Sequence, residues 1–380
     1  MKGAILKKHL VIAGTGHAHL TLLKRLQAIT GMGHRVTAIN PGPWHYYSGM
    51  GPGLLSGRYQ PRQARFNIMK MVQDRGGQFI EGSVIRIDPD KRHLMLHTGK
   101  IISYDIVSFN TGSYIPVEGD IYGSNHVYPA KPIERLIDAR QAIETRFKKN
   151  QPIHIVVAGG GAAGVEISAN IRRLANRAPT HVTIHLIAGR RLLGRFNEKV
   201  RYHALGSLTA RHIHVIEQAR LKKIHAHSVE LTDGSILSAD MVFMATGTRP
   251  SSFFRDSGLP VGNDGGLLVN DYLQCITRPE IFGGGDCICF NSMPLPGIGV
   301  YAVRQNPILF HNIVASLTHG TYKPFTPQKT YMLILNMGDG TGIFFRNSWV
   351  WKSKLALLLK HLIDSRFVKS FQLSGEGRDR

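Results

Sequence analysis

An α/β fold with two separate parallel-sheet units and a small C-terminal subdomain is predicted by three features of the chain. Two glycine-rich turns, in "VIAGTGHAHL" (11–20) and "IHIVVAGGGAAGVEISAN" (153–170), each lie between an apolar strand and a helical pattern. The 380 residues suffice for two or more domains with ample cores. Past residue 320 the pattern changes to a hairpin-like stretch and a closing amphipathic helix.

Residues 9–13 (HLVIA) read as the first strand, and 17–29 as an amphipathic helix carrying Leu20, Leu22, Leu23, Leu26 and Ile29. Between them, Gly14 and Gly16 allow the tight turn and close backbone approach that a pyrophosphate requires at a helix N-terminus. His17 and His19 belong to this loop and are candidate cofactor contacts, though His19 stands where a third glycine would sit and packing is its favoured role. The second strand, "HRVTAIN" (34–40), ends in Asn40 instead of an acidic residue, and its amide can still hydrogen-bond a ribose hydroxyl.

The second turn is more complete. Gly159, Gly161 and Gly164 have the full G-x-G-x-x-G spacing between strand and helix, with Glu166 two residues beyond. The following strand, "HVTIHLIAGRR" (181–191), reaches Ala188 with no acidic residue for a ribose. Arg190 and Arg191 come next, and guanidinium groups there suit a 2′-phosphate, tilting the choice from NADH to NADPH; the alternative is a solvated turn with weak nicotinamide binding.

With "FNTGSYIP" (109–116), "FMATGTRP" (243–250), "RPEIFGGGDCICF" (278–290) and "GIGVYAVRQNPILFHNI" (297–313) in this order, the chain resembles the FAD- and NAD(P)-dependent flavoprotein oxidoreductases with two dinucleotide-binding domains. It is most similar to type II NADH dehydrogenase-like proteins and the flavoprotein module fused to selenide, water dikinases, through "GTGHAHL", "YYSGMGPGLLSGRY" (46–59), "VYAVRQNP" and "KLALLLKHLIDSRF" (354–367). The resemblance implies two Rossmann-like dinucleotide-binding domains: an FAD domain from 1–115 and 265–320, an NAD(P)H domain over 116–264, and a C-terminal subdomain over 321–380. It further implies that Thr111, Gly112, Gly247, Gly285 and Ala302 line the cofactors, that Asp286 holds the ribityl chain, and that Glu166 lies near the reactive end of the nicotinamide. Lys131, in "AKPIERL", is implied near the flavin, where a cation stabilises the anionic reduced form.

Departures from the family narrow the chemistry. No cysteine pair follows the first helix, which argues against dithiol reduction, and Cys287 and Cys289 at i, i+2 point to opposite faces of an extended chain and read as small hydrophobes. Of the paired glutamines that contact quinone in respiratory type II enzymes, only Gln305 is present. The expected function is therefore an FAD-dependent NAD(P)H oxidoreductase passing electrons to a quinone-like acceptor, with Lys131, Glu166 and Gln305 as candidate catalytic residues and no metal. A flavin-binding sensor without turnover and a redox step in selenium or sulfur metabolism are the alternatives.

The formal charge of +22 favours an anionic partner, and the basic residues are scattered with no nucleic-acid recognition module. Three cysteines and the absence of an uncharged apolar run or a cleavable leader predict a cytoplasmic protein, peripheral at most on the cytoplasmic face of the inner membrane, with a homodimer as a further expectation. Leu355, Leu358, Leu359, Leu362 and Ile363 share one helical face, with Lys352, Lys360, Arg366 and Lys369 nearby and Trp349 and Trp351 ahead of them. That pattern suits either an anionic membrane surface or a helix docked on the FAD domain.

Overall fold

Two parallel five-stranded sheets organise the computed structural model, which describes residues 6–116, 126–178, 180–295, 297–328 and 330–376. Residues 1–5, read above as lacking a cleavable leader, lie outside the described residues. The first sheet has His9–Ala13 at its centre, flanked by Arg35–Asn40 and then Gln78–Glu81 on one side and by Ile106–Phe109 and then Ile281–Gly283 on the other. The second has Ile153–Ala158 at its centre, flanked by Val182–Gly189 and Ile213–Glu217 on one side and by Met241–Met244 and Val127–Pro129 on the other. In both, the strand order reverses beside the central strand, which opens a crevice at the carboxyl ends where the glycine turns emerge.

The central strands are uninterrupted apolar runs because helices cover both faces: every residue of His9–Ala13 is buried, as are most of Ile153–Ala158. An antiparallel bridge between Tyr114 and Arg249 brings the two crossings between the units side by side. Phe253 and Phe254 already pack on Phe109 of the first sheet, so the chain returns to that unit near residue 250, ahead of the 265 boundary read from sequence. The short helix Phe253–Asp256 carries no motif of its own, and only packing assigns it.

The helix expected over 17–29 is broken into a 3-10 turn, His17–His19, and two short helices, Leu20–Lys24 and Gln27–Thr30. The break at the start follows from His19, whose side chain is anchored behind the turn, as described below.

The C-terminal subdomain is a three-stranded antiparallel meander, Leu333–Asn336, Gly342–Arg346 and Trp349–Ser353, followed directly by the helix Lys354–Phe371. Ser353 caps this helix by accepting from the Ala356 N–H. One face of this helix docks on the body and the other stays open. Ala356, Leu357, Asp364, Val368 and Phe371 are buried against the body, while Leu355, Leu358, Leu359, Leu362 and Ile363 remain exposed.

Candidate active site

The first crevice is built by loops pressed so closely together that only glycine fits. Gly14 has φ +75°, and a Cβ there would come within 2.5 Å of the Asn110 carbonyl oxygen; at Gly16 it would come within 2.3 Å of Asn110 Oδ1. Asn110, just beyond the strand Ile106–Phe109, joins three segments. Its Oδ1 accepts from Ala18 N–H at 3.1 Å, and its Nδ2 donates to Gly284 O at 2.5 Å. Asn306, on the long helix Gly299–Thr318, ties in a fourth segment by accepting from Thr21 N–H at 2.6 Å.

His19 explains how a turn without its third glycine closes. In the second turn a Cβ at Gly164 would lie 1.7 Å from Gly159 O, so glycine is required there. In the first, the helix start is lifted into a 3-10 turn, and His19 Nδ1 donates to Gly14 O at 2.6 Å while Nε2 accepts from Ser108 Oγ at 2.8 Å. A carbonyl can only accept, which fixes the proton on Nδ1, and burial lowers the pKa to about 4, so the ring is neutral. His19 has no exposed surface and braces the loop from behind instead of touching a cofactor.

Two other candidates prove to be braces. Asn40 Oδ1 accepts from both the N–H and Oγ1–H of Thr15, and one N–H of its Nδ2 donates to Gly42 O, so its carbonyl braces the loop and its second N–H is the group left for a ribose hydroxyl. Gln305 is 1% exposed and its Oε1 accepts from Gly285 N–H at 2.7 Å. Through that bond it positions the loop that carries Asp286, from a place buried beneath it. Ala302, one turn earlier, is buried against the same loop, 3.5 Å from where a Cβ of Gly285 would lie.

A charged cluster lies at the far end of this crevice. Lys131 Nζ donates to Asp286 Oδ2 and, at 3.2 Å, to Ser113 Oγ, while Ser113 Oγ–H donates to Asp286 Oδ2 at 3.0 Å. Beside them Gly112, at φ +71°, has nothing within 4 Å of its Cβ position among the described residues, and Thr111 is exposed. Lys131 and burial together lower the His17 pKa to about 4, burial being the larger effect. His17 Nε2 is buried without a partner among the described residues, and its ring meets His45 and Tyr47 edge-on at 4.8 and 5.2 Å. Cys287 is a free thiol buried under this floor, with its pKa pushed up to about 11 by burial, so it is no nucleophile at neutral pH; Cys275 and Cys289 are free too.

The C-terminal helix closes the wall behind His17. Phe367 stacks 4.9 Å from Tyr47 and 6.3 Å from His17, and Asp364 Oδ1 accepts from Tyr47 Oη at 3.3 Å. Lys360 Nζ lies 3.0 Å from Asp364 Oδ2, with 15% and 7% side-chain exposure. Lys360 is therefore an inward-facing residue, where the helical pattern had grouped it with surface cations. Glu166 belongs to the same cluster: its Oε1 accepts from Asn336 N–H at 2.7 Å, and its charge interacts with Lys360. The structure thus turns Glu166 toward the C-terminal subdomain, because two residues past Gly164 the helix Ala162–Ala175 faces the strand Leu333–Asn336.

The second crevice is a cleft of about 1320 Å³ lined by Gly159, Gly161, Ala188, Arg190, Arg191 and Gly247 among others. A Cβ at Gly161 or at Gly247, whose φ is +109°, would meet nothing within 4 Å among the described residues, so these backbones face the cleft with room for a ligand. Gly160 O accepts from Leu193 N–H at 2.7 Å, tying the arginine-bearing loop to the glycine turn.

Two glycine cradles at two topological switch points, one with a Lys–Asp–Ser cluster and one opening on a basic cleft, are the arrangement of a flavoprotein oxidoreductase with two nucleotide-binding domains. Residues 8–313 match the pyridine nucleotide-disulphide oxidoreductase family, and the chain belongs to it. It is an FAD-dependent NAD(P)H oxidoreductase. It is similar to ferroptosis suppressor protein 1 of Taeniopygia guttata, 28% identical over 284 residues covering 70% of this chain and 71% of that one. An internal alternative NAD(P)H-ubiquinone oxidoreductase A1, mitochondrial, of Arabidopsis thaliana is 24% identical over 174 residues, 43% of this chain and 34% of that one. Among solved structures, NDH2 from Plasmodium falciparum in complex with NADH superposes with a TM-score of 0.83 at 15% identity, covering 97% and 98% of the two chains. The sulfide:quinone oxidoreductase of Aquifex aeolicus does so with 0.78 at 17%, covering 98% and 93%.

Asn110, Ser113, Thr15, Tyr47 and Asp364 escaped the sequence reading. Asn110 carried one usable signal, a polar residue closing an apolar strand immediately before Thr-Gly.

Proposed function

We propose that the protein takes a hydride from NAD(P)H in the second crevice onto FAD in the first and releases the electrons to a quinone-like acceptor at a membrane surface. The observation that carries this reading is the C-terminal helix. One face places Asp364 on Tyr47 and Phe367 on His17 beside the first crevice, and the opposite face presents Leu355, Leu358 and Leu362, 73%, 50% and 58% exposed, to the outside. Trp349, 72% exposed, and Lys354 flank that face, as an interfacial helix requires. No helix among the described residues is long and apolar enough to cross a membrane. The acceptors named for an Arabidopsis relative and for the Aquifex structure, ubiquinone and quinone, agree with this reading.

The flavin, when bound, supplies hydride acceptance from the nicotinamide and electron release to a second substrate. The chain's own residues hold and tune it. The cradle of Gly14 and Gly16 would receive the pyrophosphate, since the backbone there has no side chain to clear. Asp286, with both hydrogen bonds on Oδ2 and no partner for its other oxygen among the described residues, would accept from ribityl hydroxyls. Lys131 would hold positive charge beside the ring system, and Ser113 fixes its ammonium in place. Gly159, Gly161 and Gly247 would receive the nicotinamide dinucleotide. The braces His19, Asn40 and Gln305 keep the first crevice open, so that little reorganisation accompanies binding.

The test follows the flavin directly. Purified holoprotein mixed anaerobically with NADPH or NADH is expected to bleach within seconds, and a short-chain ubiquinone analogue is expected to restore the colour. A flavin that stays oxidised with both nucleotides overturns the reading, and bleaching without reoxidation by quinone overturns the acceptor.

The helix yields a separate prediction. Leu358→Glu with Leu362→Glu is expected to leave the fold intact, since both side chains are exposed, and to lower sedimentation with anionic phospholipid vesicles by about tenfold or more, at roughly 1–2 kcal/mol for each leucine withheld from the bilayer. Equal sedimentation of variant and parent rules out this face as the membrane contact.

A further inference from the structure

We propose that the second crevice is a 2′-phosphate site that selects NADPH over NADH, with Arg190 and Arg220 as the selecting pair. The inference rests on the reading that this crevice takes a nicotinamide dinucleotide, and goes beyond it in assigning the phosphate and its ligands. Among the described residues, seven lysine and arginine side chains line the cleft and no aspartate or glutamate does. A site for NADH presents a carboxylate to the adenosine ribose, and that carboxylate repels a 2′-phosphate. Here the expected position is Ala188, at the carboxyl end of the strand Val182–Gly189.

The nearest candidate acid is withdrawn. Glu217 lies beside Gly189 on the next strand, but it accepts from Leu192 N–H at 2.6 Å and from Arg201 Nη2 through both oxygens at 3.0 and 2.9 Å. Those three bonds draw the carboxylate away from the cleft, and Glu217 is not among the lining residues.

Cations take the vacated place. An antiparallel bridge pairs Gly189 with Ala219, and Ala188 and Arg220, their chain neighbours, both line the cleft, which brings an arginine to the region where an acid would stand. Arg190 follows Gly189, whose φ of +68° turns the chain out of the strand at this point. Arg191 is engaged by Glu198 at 2.7 Å and Lys222 by Glu230, whereas Arg190, Arg195, Arg220 and Lys223 have no carboxylate partner among the described residues. The bridging pyrophosphate is served by the open glycine backbone at Gly161, so these free guanidinium groups are surplus to NADH. A 2′-phosphate carries a charge of roughly −1.5 to −2 at neutral pH and matches two of them by bidentate hydrogen bonds.

The test measures binding, separately from turnover. Holoprotein is titrated by calorimetry with adenosine 2′,5′-bisphosphate and with 5′-AMP, which differ only in the 2′-phosphate, and then with NADP⁺ and NAD⁺. The bisphosphate and NADP⁺ are expected to bind at least about 30-fold more tightly than their partners, as two charge-assisted contacts allow. Arg190→Ala and Arg220→Ala are each expected to reduce that ratio about tenfold, and exposed Lys148→Ala, outside the cleft, to leave it unaltered. Equal affinities within each pair overturn the proposal while keeping the dinucleotide reading. Failure of NADP⁺ and NAD⁺ alike overturns both. A loss in Arg190→Ala and Arg220→Ala that is the same for NADP⁺ and NAD⁺ assigns the two residues to the pyrophosphate and overturns the selection.

Discussion

Asn110→Ala is expected to purify as a colourless protein, with flavin affinity lowered about 100-fold or more and global stability reduced by about 2–5 kcal/mol. The side chain is 4% exposed and serves two buried backbone groups, Ala18 N–H and Gly284 O, on segments 92 and 174 residues away in sequence. Alanine leaves both without partners, and each unpaired buried group costs roughly 1–3 kcal/mol. The loss falls on the flavin crevice in particular, since Gly14 and Gly16 are both packed directly on Asn110, and a loop that relaxes away from it no longer presents its N–H groups together. Absorbance at the flavin band after gel filtration, with thermal unfolding in saturating FAD, separates the two effects. Asn110→Asp makes the control: it keeps the acceptor for Ala18 N–H and loses the donor to Gly284 O, and is expected to retain more flavin than alanine. Full flavin retention in Asn110→Ala rejects the bracing role.

The contrast between Asn110 and the residues the sequence did single out shows what spacing can reveal. Glycine positions were legible because their constraint is local: a turn, a helix start and a strand within ten residues of each other. Gly159 and Gly161 accordingly line the second crevice, Gly164 packs behind them on Gly159 O, and Gly14 and Gly16 pack on Asn110 in the first. Polar residues near those turns were legible only as polar. Asn40, Gln305 and His19 suit hydrogen bonds to a cofactor and to a neighbouring loop equally well, and which one they make depends on backbone groups brought from elsewhere in the chain. Glu166 and Lys360 were separated for the same reason. One looked like a nicotinamide contact and the other like a surface cation, and only the docking of the C-terminal helix brings them together. Asp364 did leave a trace, an acid four residues after Lys360 within a leucine-rich helix, which is the spacing of a paired charge. Its other partner, Tyr47, is 317 residues away and left none.

That cluster yields the second large effect, and its sign can be worked out from the groups facing it. Lys360 is opposed by Asp364 and Glu166, with Tyr47, Tyr59, His361 and Arg58 around them. Burial works against charge on Lys360, but the two carboxylates outweigh it and hold its pKa above the ordinary lysine value. Burial raises the pKa of both Glu166 and Asp364, and Lys360 limits the rise. Lys360→Met keeps the stem and removes the charge, leaving two carboxylates in a poorly solvated site. A carboxyl whose folded pKa exceeds its unfolded value binds more protons when folded, so its contribution to stability is retained at low pH and is lost as pH rises through that window. Without Lys360 the window extends upward for both groups. The variant is therefore expected to lose about 3 kcal/mol at pH near 8, the lower end for a buried pair broken on one side, and to recover much of it near pH 5. Denaturant unfolding at the two pH values, with flavin saturating, makes the comparison. A deficit of the same size at both would mean that the lysine acts through its packed stem, and would remove the charge from the account of how this helix is held on Tyr47 and the wall of the flavin crevice.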